Sequence, residues 1–106
     1  MPDTKEIRET LIKARDLIAV PERWTQRSYA RTAAGATIGP KELPAVCWCS
    51  SGAILRTENS WPRRFAAEEV LGAAMGDSIV FFNDTHTHAE VIAAFDRAIA
   101  SIPEAV

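Results

Sequence analysis

No apolar stretch in this chain approaches the roughly 18 residues a helix needs to cross a bilayer, so no membrane span is expected. Basic charge is not in excess either. Twelve Lys and Arg face 14 Asp and Glu, a formal net charge of −2, which removes any global pull towards nucleic acid or an anionic membrane surface. Cysteine is scarce: only Cys47 and Cys49 occur, with a single residue between them. Closing so short a loop is strained and restricts the unfolded chain little, so no disulfide framework is expected. Histidine is as scarce, with His86 and His88 alone. The opening segment, residues 1–6, is polar and lacks the apolar core of a secretory signal. Together these absences point to a cytoplasmic protein with reduced thiols.

What is present is the ordinary mix of a globular chain. With 47% hydrophobic and 25% charged residues in 106, there is material for one domain, spanning 1–106, around one core. A first helix is predicted over 4–19, opened by the pair Asp3 and Glu6 and carried by Ile7, Leu11, Ala14, Leu17 and Ile18 at helical spacing. Periodicity then fails over 22–44, where a short irregular hairpin near 29–38 is expected. A second helix is predicted over 46–57, with Val46, Cys49, Ser50, Ala53 and Ile54 forming a stripe of mostly small side chains. Gly52 within it costs about 1 kcal/mol against alanine, a cost that close packing would offset.

Ser60 and Pro62 open a third helix that Gly76 stops. The apolar run 78–82 reads as a buried strand. Thr87 and Glu90 form a capping box ahead of a last helix carrying Val91, Ile92, Phe95, Ala98, Ile99 and Ile102. The expectation is a mainly α fold: about four helices around a single core, with a short β element near 29–38, near 78–82, or both.

The two scarce residue types set the chemical candidates. Cys49, read as near a helix start, with His88 or His86 as base and Asp84 or Asn83 orienting the ring, would make a thiol nucleophile. The simpler expectation is a structural Cys49 filling a dry seam on the apolar stripe, since free cysteine is among the most buried residue types. Cys47, Cys49, His86 and His88 supply four ligands of the type zinc takes, but a spacing of two residues places helical side chains on opposite sides, so no metal is expected. No cofactor is expected. Asn83 and Asp84 read as a turn whose side chains bond back to nearby amides. Arg56, Arg63 and Arg64 around the second and third helices suggest a helix-turn-helix, which Glu68 and Glu69 oppose, so nucleic acid is not the expected partner. Arg23, Trp24, Arg27, Tyr29 and Arg31 form the candidate interaction surface. Trp24, Trp48 and Trp61 are expected in the core, Trp48 being the one most open to a surface position.

Four motifs occur in order: Pro21-Glu22-Arg23-Trp24-Thr25-Gln26 with Tyr29-Ala30-Arg31, then Val46-Cys47-Trp48-Cys49 with Gly52-Ala53, then Phe82-Asn83-Asp84, and finally His88-Ala89-Glu90-Val91-Ile92 with Phe95-Asp96-Arg97-Ala98-Ile99. In these the chain resembles a family of short, uncharacterised bacterial and phage-borne proteins, a domain of unknown function marked by Cys-small-x-Gly-Ala and Asn-Asp, with Ser50 here at the small position. The resemblance implies no activity, cofactor or partner. It implies a unit that recurs as a small stand-alone protein, associated with phage or mobile elements. The expected function is therefore a small, non-enzymatic cytoplasmic binding or accessory protein with a protein or small-molecule partner. The alternative is a cysteine-dependent hydrolase or transferase using Cys49, His88 and Asp84.

Overall fold

A computed structural model describes residues 2–103. Among the described residues five helices surround one core: α1 (Thr4–Leu17), α2 (Ser50–Thr57), α3 (Trp61–Met75), α4 (Ile79–Thr85) and α5 (His88–Ala100). A 3-10 turn (Pro21–Arg23) follows α1, and two short strands, β1 (Ala30–Arg31) and β2 (Cys47–Trp48), precede α2. The mainly α class is as expected, with one helix more than predicted.

The frame is α1, α3 and α5, and its ends follow from local chemistry. Asp3 accepts the Glu6 amide at 2.8 Å while Glu6 accepts the Asp3 amide at 3.1 Å, satisfying two amides that the first turn of α1 leaves free. Thr87 and Glu90 do the same for α5, at 3.2 and 2.9 Å. Gly76 ends α3 at φ 72°, a left-handed conformation that costs glycine nothing. Leu11, Ile18, Leu71, Val91 and Phe95 are fully buried where these helices meet, with Ile54 reaching in from α2. Glu58, buried just after α2, ties the frame together with polar contacts. It accepts the Thr10 hydroxyl at 2.6 Å, Lys13 Nζ at 3.0 Å and the Ser60 amide at 3.3 Å.

Two segments differ from expectation. Residues 46–49 are extended, and α2 begins only at Ser50, because β2 pairs antiparallel with β1 in the register Ala30↔Trp48 and Arg31↔Cys47. A strand partner 16 residues upstream took residues whose spacing also fitted a helix. The hairpin expected near 29–38 survives as a single bridge, Arg31↔Thr37, on the other side of β1. The run 78–82 is helical and not a strand. Ser78 caps the Phe81 amide at 3.1 Å, and Phe82 turns inward with Ile79 packed beside it, while Val80 and Phe81 stay 48% and 57% exposed. A continuous apolar run implied burial on both faces, and the chain buries one.

Gly52 explains how the two layers fit. A Cβ there would lie 1.9 Å from the Tyr29 carbonyl oxygen, so α2 presses directly onto the backbone beside β1. The close packing expected at this small-residue position is thus against a loop carbonyl. Among the tryptophans, Trp48 is 5% exposed and donates to the Pro40 carbonyl at 2.9 Å, whereas Trp61 is 65% exposed and stacks on Phe65. The surface tryptophan is therefore Trp61.

Candidate functional site

Asn83 is fully buried and organises the region between α4, α2 and the segment 24–28. Its Oδ1 accepts three hydrogen bonds: from Trp24 Nε1 at 2.8 Å, the Ser50 amide at 3.0 Å and the Ser50 hydroxyl at 2.7 Å. Its Nδ2 donates to the Thr25 carbonyl at 3.0 Å and to Asp84 Oδ1 at 3.3 Å. Gln26 Nε2 in turn donates to the carbonyls of Asn83 and His86, both at 3.0 Å, covering the end of α4. Asn83 and Asp84 thus lie within a helix and bond across the chain, where a local turn was expected.

Asp84 extends the network by accepting the Arg27 amide at 2.8 Å. Arg27 sits at φ 64°, the left-handed region that side chains with a Cβ rarely occupy. Two fixed points, Asp84 on the amide and the Asn83 bonds either side of Thr25, hold it there.

Against this network opens a groove of about 810 Å³, within the usual range for small-molecule clefts. Tyr29, Ile38 and Pro40 line one side and Val80 the other; Cys49 lies in the wall, and Arg27, Glu42 and Asp84 bring charge. Cys49 is 5% exposed and stands at the cap position of α2, its Sγ accepting the Gly52 amide at 3.3 Å. Burial pushes its thiol up. The amides of Gly52 and Ser51 act in the opposite direction, and the nearby Asp84 carboxylate raises it further.

The sequence candidates separate here. Cys49 and Asp84 share the groove; neither histidine lines it. His88 Nε2 lies 2.7 Å from the Ile18 carbonyl, and His86 Nδ1 lies 2.9 Å from the Phe82 carbonyl with its ring stacked on Phe82. A carbonyl only accepts, so each of those nitrogens carries its proton and is not offered to a thiol. Cys47 is half-buried with its sulfur 3.9 Å from the Arg31 carbonyl. Among the described residues, no three His, Cys, Asp or Glu side chains converge as a metal would need.

The candidate surface also divides. Arg23 is exposed, Trp24 is half-buried on Asn83, and Arg27 and Tyr29 reach the groove. The Arg31 guanidinium is occupied inside its own loop, donating to Thr25 Oγ1 and to the Gln26 and Gly35 carbonyls at 3.0–3.1 Å. Of the arginines suggesting a helix-turn-helix, Arg56 donates to the Pro40 and Glu42 carbonyls and Arg63 pairs with Glu6. Asn83 as a hub, and Ile38, Pro40, Glu42 and Val80 as groove walls, were not singled out from the sequence. The available signal was one amide directly after the apolar run 79–82.

Residues 2–101 match the model of a family of unknown function, DUF6197, and the chain belongs to that family. No curated protein and no solved structure matches it. Among the described residues no helix is long and apolar enough to cross a membrane.

Proposed function

We propose that this member of the DUF6197 family is a non-enzymatic binding protein whose ligand occupies the groove between Tyr29, Ile38 and Val80. The observation that carries this reading is the groove itself, seated on a buried hydrogen-bond network that holds Arg27 in an unfavourable conformation. Backbone strain of about 1–3 kcal/mol persists only where surrounding structure enforces it, and it concentrates at ligand sites. Free thiols at positions 47 and 49 accord with a cytoplasmic setting. An association with phage or mobile elements rests on the motif resemblance alone.

The second reading, a cysteine-dependent hydrolase or transferase, is favoured by one observation: Cys49 shares the groove with Asp84 at the start of a helix. Its raised thiol pKa and a groove lining that includes neither histidine weigh against it. Iodoacetamide labelling of a Cys47→Ser variant separates the two. The binding reading expects Cys49 to label at least about ten-fold more slowly in the native protein than in denaturant, with no pH midpoint below that of a free thiol. Fast native labelling with a depressed midpoint would favour the enzyme.

A further inference from the structure

The groove's walls and its charges select different parts of a ligand. Ile38, Pro40, Val80 and the Tyr29 ring supply an apolar body site. The charged lining is two carboxylates, Glu42 and Asp84, against one guanidinium, Arg27. These do not act equally. Asp84 is half-buried, with Oδ1 fixed by the Arg27 and Asn83 bonds, while its Oδ2 accepts from no described residue. Glu42 is exposed, with Oε2 taking the Gly39 amide at 2.9 Å and Oε1 accepting from no described residue. Arg27 is likewise exposed, so solvent and salt screen its charge and that of Glu42 more than that of Asp84. At Cys49 in the groove wall the nearby Asp84 carboxylate acts to disfavour the thiolate, as a negative local field does. Tyr29, half-exposed at the same rim, adds an aromatic face of the kind that attracts cations.

We infer that the groove takes an organic cation: an ammonium or similar group between Asp84, Glu42 and Tyr29, with a hydrocarbon body against Ile38, Pro40 and Val80. This rests on the binding reading above and narrows it to a ligand class. Three probes with one tail and different heads test it: hexylammonium, hexan-1-ol and hexanoate, titrated at pH 7 and followed by NMR at Tyr29, Ile38 and Val80. Hexylammonium should bind about ten-fold more tightly than hexanoate, with hexanol between. Asp84→Asn and Glu42→Gln, each keeping an acceptor for its present amide, should each reduce that preference several-fold. Reading both variants covers a folding defect in either.

Hexanoate binding as tightly as the amine, or a preference unchanged in both variants, overturns the cation inference and leaves the binding reading standing. Hexanol matching the amine does the same. No shift from any probe at millimolar concentration overturns both.

Discussion

The helical frame and the layer formed by residues 24–49 are held together by different kinds of interaction. In the frame, Leu11, Leu71 and Phe95 are buried by neighbours that need only be apolar and about the right size, each such burial contributing about 1.5–3 kcal/mol without directional demand. The 24–49 layer buries few large side chains, Trp48 chief among them. Its path is set by directional bonds that join Trp24, Thr25 and Gln26 to Asn83, and by a glycine contact in which no Cβ fits. A frame of the first kind absorbs substitution by shifting slightly. The second kind lacks that tolerance, since a buried donor left unpaired costs about 1–3 kcal/mol. The groove lies along the second.

The sharpest way to break this contrast is one substitution made in each region. Gly52→Ala should destabilise by about 3 kcal/mol, because its Cβ would meet the Tyr29 carbonyl oxygen at 1.9 Å and backbone must move. Gly72→Ala in α3 should instead stabilise by up to about 1 kcal/mol, since its Cβ would find only the Asp77 carbonyl oxygen at an ordinary 3.7 Å. Urea denaturation of the pair measures both, and equal effects would erase the distinction.

A smaller effect tests a buried directional tie on the frame. Burial raises the Glu58 carboxyl, but bonds from Thr10, Lys13 and the Ser60 amide, with the Lys13 charge, outweigh it and leave the group below its ordinary value. A lowered folded pKa contributes stability that is complete above the unfolded value near 4.5 and is lost as pH falls through the folded one. Glu58→Gln should therefore cost about 1–2 kcal/mol at pH 7 and nothing once acid has protonated the wild-type group. Stability curves that stay parallel down to pH 3 would contradict this.

The same contrast explains what could be read from the chain. Helices α1, α3 and α5 were legible because their caps and stripes are local: Asp3 with Glu6, Ser60, Gly76, and Thr87 with Glu90 all act within a few residues. The start of α2 was misplaced because the pairing of Cys47 and Trp48 with residues 30–31 competes with a spacing that fits a helix equally well. Helix α4 was taken for a strand because a run of four apolar residues carries no period. Cys49 and Asp84 were both identifiable as chemistry-bearing residues, yet nothing local shows that they share a groove that His88 does not enter. Asn83 was the least visible. A short polar side chain after apolar residues reads as a turn, and its partners lie 33 and 58–59 residues away.

The most direct test of the central claim is amide hydrogen exchange on Asn83→Ala. Protection at Thr25, Arg27 and Ser50 should fall by about 100-fold, with a smaller, uniform change across α1, α3 and α5. Unchanged protection at those three amides, or a loss spread evenly over the frame, would show that the buried amide does not hold the groove's floor in place.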